Sequence, residues 1–214
     1  LLVCFSLSAQ NDTPLLKQVI STDHQIPNDL ATDLEECFII KNTGWLHGFK
    51  LKFNKILNKE INYWDEEKLG RSAFKINQKL KQAGYLHSTV ELVRKDKGHS
   101  AIAKYKVSLG HRWTLGEIDL SSLNSGIESK DVLNLIMINF GDDLDVDQLE
   151  VERERIASHF QHLGFATFNE GFIHFELDTS RQFGVADVLL SIRGQKLEGS
   201  DDFSKHKKVN IGNI

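Results

Sequence analysis

The sequence predicts an α+β fold built from tandem β-α-α-β-β units, because one pattern of elements occurs twice in the same order. The pattern is found in "KLKQAGYLHSTVEL" at 79–92 and in "HFQHLGFATFNEGFIHFEL" at 159–177. In each stretch a helical segment is followed by a glycine, an aromatic residue and a strand with alternating apolar residues. Each copy continues into a turn and a second strand. A similar short motif then follows each copy, "WTLGEI" at 113–118 and "VNIGNI" at 209–214. Three matched features in one order indicate an internal repeat.

Each repeat is predicted to end its second helix at a glycine, Gly84 or Gly164. Aligning the two glycines places apolar residues at i, i+4 and i+7, along one helical face, and the matched pairs are Ile76 and Ile156, Leu80 and Phe160, Ala83 and Leu163, and Tyr85 and Phe165. Glycine adopts the left-handed conformation that ends a helix without a steric penalty. The following aromatic residue can pack back on the last turn, and the chain can enter a strand at once.

Two strands with period-two alternation are predicted after each glycine. The alternating residues are Val90 and Leu92, then Ala103, Tyr105, Val107 and Leu109, in the first repeat, and Ile173, Phe175 and Leu177, then Val188, Leu190 and Ile192, in the second. A hairpin turn of four to six residues is predicted at 95–100, and a second turn near 178–184. Gly110 and Gly194 end the two return strands.

The repeat predicts the domain organisation. We predict a signal-peptide remnant at 1–9 and a first module with an irregular start at 10–110. A second module follows at 111–194, and a linker with the first strand of a truncated third module occupies 195–214. The second module should contain a strand, two helices and two further strands, the first three at about 112–120, in 127–139 and in 146–163. The first module should open with a strand at 15–21 and a helix after Pro27.

Composition describes an ordinary globular chain. Hydrophobic residues make up 40% and charged residues 26%, and the net charge of −4 gives no indication of nucleic-acid binding. The opening "LLVCFSLSAQ" resembles the end of a secretory signal peptide cleaved after Ala9, with a frayed apolar terminus as the alternative. Removal of that segment leaves Cys37 without a partner for an internal disulfide, so it is predicted to be a small buried hydrophobic residue.

No pattern predicts catalysis, a metal or a cofactor. Four acids in "DLDVDQLEVERE", 143–154, match positions of a calcium-binding EF-hand loop, but Gln148 stands where that loop needs glycine, so these acids are predicted to cap a helix. His159 and His162 are three apart on one helix without an HExxH motif, and His162, which lies off the apolar face, is predicted to be exposed. "KHKK" at 205–208 is predicted to be a solvated linker, and Trp45 and Phe49 of "GWLHGF" to complete the core of the first module. The motifs GxSxG, GxGxxG and HExxH are absent from the sequence.

Residues 111–194 resemble a POTRA domain, the periplasmic module of outer-membrane assembly proteins such as BamA and TamA. The similarity lies in "DVDQLEVERERIASHFQHLGF", at Leu149, Glu152, Arg153, Arg155, Ile156, Phe160, Gly164 and Phe165, and extends to "HRWTLGEI" and to "VADVLLSIRG". The resemblance implies that two helices cover one face of a three-stranded mixed sheet, with the first hairpin strand at an outer edge. It is weaker for 71–110 and weakest for 20–70.

The resemblance implies a non-catalytic function. It implies periplasmic modules that bind unfolded outer-membrane proteins or assembly subunits, with no nucleic acid, and with the membrane reached only through a carboxyl-terminal β-barrel outside this chain. The alternative is a periplasmic or cell-division scaffold that uses such modules without a barrel. Sequence beyond Ile214 would separate these, because barrel strands appear as segments of about ten alternating residues. An exported enzyme is a third alternative, which no catalytic motif supports.

The second module offers the more receptive sheet edge. Its strand, predicted as "FNEGFIHFEL" at 168–177, contains neither Pro nor Lys, whereas its counterpart at 86–94 carries Arg94 and runs into Lys95 and Lys97. Partner segments are therefore predicted to add a strand beside Phe172, Ile173, His174, Phe175, Glu176 and Leu177. The alternative is that a neighbouring module or loop covers this edge.

We expect export and processing of the precursor. Expressed at full length in a Gram-negative host, it should yield a mature protein that begins at Gln10 or within a few residues of it, because small residues precede that position. Amino-terminal sequencing of the periplasmic fraction would check this, and an unprocessed cytoplasmic chain would contradict it.

Overall fold

A computed structural model describes residues 13–42, 61–121, 127–196 and 203–209. The predicted signal-peptide remnant, Trp45, Phe49 and residues 210–214 of the predicted third module lie outside these ranges. The chain divides into two compact units, Leu1–Lys81 with Tyr85–Gly110 and Gln82–Gly84 with His111–Ile214. The exact limits of the four predicted segments stay predictions.

The first unit contains a three-stranded mixed sheet and two described helices. Its elements are β1 (Leu15–Thr22), α1 (Asn28–Glu36), α2 (Glu66–Gln82), β2 (Thr89–Lys97) and β3 (Ser100–Ser108). The strand order is β1-β3-β2, with β1 parallel and β2 antiparallel to β3. The opening strand and the helix after Pro27 therefore occur where the sequence predicts them.

The second unit repeats this arrangement. Its elements are β4 (Thr114–Asp119), α3 (Ser129–Leu133), α4 (Val146–His162), a 3₁₀ turn (Glu170–Phe172), β5 (Ile173–Gln182) and β6 (Val185–Ile192). The strand order is β4-β6-β5, again with one parallel and one antiparallel pair. A two-stranded ribbon follows, β7 (Gln195–Lys196) with β8 (Phe203–Ser204). The predicted α+β class, with β-α-α-β-β modules, is confirmed.

One face of each sheet forms a core with the helices. The buried residues of the central strands are Ala101, Ala103, Tyr105 and Val107 in β3, and Ala186, Val188, Leu190 and Ile192 in β6. Both long helices have 17 residues and present the same positions to the core, Leu69, Ser72, Ile76 and Leu80 in α2 and Leu149, Glu152, Ile156 and Phe160 in α4. The predicted period is thus the packing face at Ile76, Leu80, Ile156 and Phe160, but Leu163, predicted on the same face, is exposed because the helix ends at that residue. None of the described helices is long and apolar enough to cross a membrane.

The long helices stop as the sequence predicts. Gly84 has φ +89° and Gly164 has φ +96°, both in the left-handed region. The N–H of the following aromatic residue donates to the carbonyl of the last turn, from Tyr85 to Leu80 at 3.0 Å and from Phe165 to Phe160 at 3.1 Å. The rings of Phe160 and Phe165 meet edge to face at 5.9 Å. Each glycine thereby redirects the chain into the next strand.

Both hairpins are tighter than predicted. Lys97 pairs with Ser100 and Gln182 pairs with Val185, so two residues form each turn, Gly98-His99 and Phe183-Gly184. The prediction of a longer loop was wrong because "KDK" and "TSRQ" looked like turn residues, yet they extend the strands. The pairing of β5 is irregular between Asp178 and Gln182.

The helix predicted within 127–139 is short. It ends at Leu133, and the backbone N–H of Met137 donates to the carboxylate of Glu152 at 2.7 Å. An N–H that is bound outside the helix cannot propagate it, so the apolar residues that follow form a tethered loop rather than a further turn.

The strand predicted at 168–177 begins only at Ile173. The side chain of Asn169 accepts from the N–H of Gly171 at 2.9 Å and caps the 3₁₀ turn. Alternating aromatic residues concealed this Asn-Glu-Gly turn, although its residue types are typical of turns.

Two other side chains differ in burial from their predictions. Cys37 is half-buried, with its thiol bonded to the carbonyl of Asp33 at 3.4 Å, and burial raises its pKa. His206, within the predicted solvated linker, is buried against Phe168 and Phe172, while Lys205, Lys207 and Lys208 are exposed. The His206 ring packs against two phenyl rings, whereas a lysine side chain keeps its ammonium group in water.

Replacing Gly164 with valine should destabilise the second unit. A β-branched residue at φ +96° is strained, so we expect Gly164→Val to lower the free energy of unfolding by about 1–2 kcal/mol or more. Urea titration followed through amide resonances of the second unit would measure this loss.

Gly70→Ala is the matched control, because Gly70 lies in the α2 helix and an added Cβ meets nothing within 4 Å. That change should stabilise the first unit by about 0.5–1 kcal/mol. An unchanged urea midpoint for Gly164→Val would contradict a helix stop that depends on positive φ.

Candidate partner-binding edge

The edge of the second sheet formed by β4 is closed by the segment that leads into α4. The N–H of Leu115 donates to the carbonyl of Asp142 at 2.7 Å, and the carbonyl of Leu115 accepts from Gly141 at 2.8 Å. The N–H of Leu144 then donates to Trp113 at 2.8 Å. These bonds occupy the outward-facing backbone groups of Leu115 and of Trp113 just before β4, so the start of this edge is not a free template for another strand.

The first unit closes its β1 edge in the same way. The N–H of Leu15 donates to Asn62, and the N–H of Trp64 donates to Thr13, both at 2.8 Å. Farther along β1, the Asn42 side chain accepts from the N–H of Gln18 at 2.8 Å and donates to its carbonyl at 3.1 Å. Each unit therefore protects its parallel edge strand with the chain that precedes its long helix.

The opposite edge, β5, has backbone groups that face away from its sheet. The N–H of Arg193 donates to the carbonyl of Phe172 at 2.8 Å, one step beyond the pair of Ile173 with Ile192. Bonded and non-bonded pairs alternate along an antiparallel ladder. The backbone groups of Ile173, Phe175 and Leu177 therefore point to the outer edge. Among the described residues, none closes this edge as 141–144 closes that of β4.

The side chains of the predicted site lie on two faces of β5. Ile173 is fully buried, and Phe175 packs against the same core. His174 and Glu176 alternate with them on the outer face. The pKa of His174 is lowered, mainly by burial and to a smaller extent by the cations Arg193 and Arg153. The apolar side chains thus fix the strand to the helices, while the edge itself consists of backbone.

Phe172 differs from the rest of the predicted site. It lies in the 3₁₀ turn, and its ring contacts those of Phe168 and His206 at centroid distances of 5.8 and 4.6 Å. His206 also bonds the carbonyl of Arg193 at 2.9 Å through Nε2. The segment that contains His206 therefore covers Phe172, and the open edge begins at Ile173.

The corresponding edge of the first unit, β2, carries more cationic side chains. Arg94 pairs with Asp96 at 2.9 Å and lies over the Trp64 ring, 4.9 Å from its centroid. Lys95 and Lys97 follow on the same strand and are exposed. Lysines on an edge disfavour pairing with another strand, which distinguishes β2 from β5.

Each long helix carries one buried polar residue that binds a neighbouring loop. The sequence did not reveal this function. Ser72 accepts from the N–H of Ile39 at 3.0 Å, and Glu152 accepts from that of Met137 at 2.7 Å. The two occupy equivalent positions, and each holds the loop that follows the first helix of its unit. Glu152 also pairs with Arg155, whose guanidinium donates to the carbonyl of Leu135. The sequence feature that could have indicated this function is Glu152, an acidic residue on the otherwise apolar helix face of Leu149, Ile156 and Phe160.

The acids at 143–154 do not form a metal site. Asp145 is the N-cap of α4 and accepts from the N–H of Asp147 at 2.9 Å, the predicted capping function. Asp143 pairs with Arg112 at 2.5 Å. His162 is exposed, as predicted, and His159 is exposed as well. Within the ranges that the structure describes, no group of three potential ligands could hold a metal ion.

Several solved structures that match this chain contain POTRA domains. A Haemophilus ducreyi BamA lacking POTRA domains 1–3 is 15% identical, with a TM-score of 0.48, 84% of this chain and 29% of that chain covered. POTRA3-5 of Haemophilus influenzae BamA is 14% identical, with a TM-score of 0.46 and 84% and 60% covered. POTRA1-2 of Omp85 from Anabaena is 12% identical, with a TM-score of 0.42 and 83% and 93% covered.

These likenesses concern the fold alone. The chain spans less than two thirds of the two BamA chains, and TM-scores below 0.5 carry over neither a partner nor a site residue. No protein-family model matches the sequence, and no curated protein matches it.

Replacing Glu152 with alanine should release the loop after α3. The change removes the acceptor of the Met137 N–H and the carboxylate that pairs with Arg155, so we expect a loss of about 2–4 kcal/mol in the free energy of unfolding of the second unit. Native-state hydrogen exchange should also show faster exchange at Met137.

Glu150→Ala on the same helix is the control, because Glu150 is half exposed and pairs only with Arg153. Its loss should cost about 0.5 kcal/mol or less. Equal effects of the two substitutions would show that Glu152 does not hold the loop.

Proposed function

We propose that this chain is the periplasmic POTRA region of an outer-membrane β-barrel assembly or translocation protein. Its second module binds extended segments of unfolded outer-membrane proteins or of partner subunits by strand addition. The proposal combines the sequence resemblance of 111–194 with the module architecture, in which a small sheet keeps one edge open.

The observation that supports this function best is the difference between the two edges of one sheet. Backbone hydrogen bonds from 141–144 occupy the edge of β4, whereas Ile173, Phe175 and Leu177 direct their backbone groups outward from β5. A client segment that pairs there satisfies its own N–H and C=O groups at the same time. Because the bonds are to backbone, the client needs an alternating extended segment more than a particular sequence.

Outer-membrane strands suit such an edge. They consist of about ten residues with alternating hydrophobicity, and before insertion their backbone groups are unpaired. Beside β5, the apolar side chains of the client extend the face that holds Phe175, and its polar side chains continue the face that holds Glu176. Strand addition therefore enlarges the sheet without rearranging its core.

Amide chemical shifts of the full chain should identify the edge. Titration with a ten-residue alternating peptide, up to about 1 mM, should shift the amides of residues 173–177 and leave the helices unaffected, because pairing is confined to the outer strand. Shifts restricted to the helices, or none at this concentration, would exclude strand capture at β5.

Leu177→Pro tests the backbone donor directly, because the N–H of Leu177 faces the outer edge and not β6. Peptide binding should weaken about tenfold, the effect of one lost backbone bond at this edge. Leu177→Ala removes the side chain but retains the N–H, and it should bind the peptide nearly as well as the original chain. Equal weakening by the two changes would indicate a side-chain site instead of strand addition.

A further inference from the structure

The face of the first sheet that points away from the helices is basic. Strand pairing places its outward residues in rows across β1, β3 and β2, namely Lys17-Ile102-Lys95, Val19-Lys104-Val93 and Ser21-Lys106-Glu91. These rows contain four lysines and one glutamate, Glu91, which pairs with Lys106 at 3.6 Å. Ile102, Val19 and Val93 are half-buried between them. We call this surface the basic face.

The corresponding face of the second sheet is acidic. Its rows across β4, β6 and β5 include Asp119-Leu189-Glu176, and Asp187 lies opposite Asp178. Asp187 also accepts from the N–H of Glu117 at 2.9 Å, and the Glu117 carboxylate lies 3.9 Å from the Arg181 guanidinium on this side. Arg181 pairs with Asp187 at 3.2 Å, so the acids outnumber the cation on these rows. We call this surface the acidic face.

One row of each face matches the other residue by residue. Lys17 and Lys95 flank Ile102, while Asp119 and Glu176 flank Leu189. Neighbouring strands lie about 4.8 Å apart, so the flanking charges are separated by about 10 Å in both rows. When the two rows are placed face to face, Ile102 contacts Leu189, and each flanking lysine lies opposite a carboxylate.

From this match we propose that the chain self-associates, the basic face of one copy packing on the acidic face of a second copy. The aliphatic centre of each row supplies apolar contact, and the flanking ion pairs set the alignment. The association does not depend on strand capture, because the β5 edge is not part of either face.

The expected association is weak and sensitive to salt. Three strands of about six residues give a face of about 300 Å², so one contact buries about 600 Å² in total, below the area of a stable complex. Exposed ion pairs contribute little individually and are screened by salt. The wild-type chain should therefore form dimers or larger species only towards millimolar concentration and at low ionic strength.

Sedimentation velocity of the full chain, from about 10 µM to about 1 mM and in about 50 and 500 mM NaCl, tests this directly. Lys17→Glu with Lys95→Glu gives one chain an acidic pair in the matching row of both faces, and Asp119→Lys with Glu176→Lys gives another chain a basic pair in the matching row of both faces. Neither variant should associate alone. Their mixture should associate at least as tightly as the wild-type chain.

The mixture provides the decisive result, because a merely unfolded variant could not restore association. Circular dichroism of each variant checks the fold. Lys75→Glu with Lys207→Glu makes the same charge change at two exposed lysines outside the faces and should leave association unchanged. A wild-type chain that stays monomeric at low salt, or a mixture that does not associate, would overturn the proposal.

Discussion

The backbone of an isolated three-stranded sheet is unsatisfied along two edges, and each unit of this chain closes one of them before its long helix begins. Leu15 and Leu115 both donate to the segment that precedes the helix, at 2.8 and 2.7 Å. That bond fixes where the helix starts, because Asp65 and Asp145 cap it within three residues. Both helices then run 17 residues and must stop at a glycine to return the chain to the sheet. Closure of one edge thus determines the order of the remaining elements.

The loop after the first helix is held by different chemistry in the two units. Ser72 has a neutral hydroxyl that both accepts from Ile39 and donates to Lys68, so it is satisfied without a counter-ion. Glu152 is charged and 4% exposed, and its burial requires Arg155 and the N–H of Met137. The first unit adds a second buried polar contact, from the Tyr105 hydroxyl to Gln18 at 2.7 Å, and burial raises the pKa of Tyr105 to about 12. Equivalent positions therefore require the same hydrogen bond but not the same residue.

Periodicity and glycine predicted most of the fold because both reflect strong local constraints. The burial of Ile76, Ile156 and Phe160 follows from helical spacing, and the positive φ of Gly164 follows from the need to stop a helix. The short α3 helix could not be predicted, since its end depends on a carboxylate 15 residues away. A receptive edge at β5 was predicted from missing prolines and lysines, and it stays a prediction. Its true start at Ile173 depends on the enclosed His206, a tertiary contact that no local pattern encodes.

The edge and the face of one sheet serve different kinds of contact because they lie at right angles. Backbone N–H and C=O groups of Ile173, Phe175 and Leu177 point within the plane of the sheet, whereas the side chain of Glu176 stands perpendicular to it. A strand added at β5 therefore leaves the acidic face uncovered, and a copy packed on that face leaves the edge unpaired. Among the described residues, the helices cover the other face and 141–144 bonds the start of the other edge, so the two proposals concern surfaces of the second sheet that do not overlap.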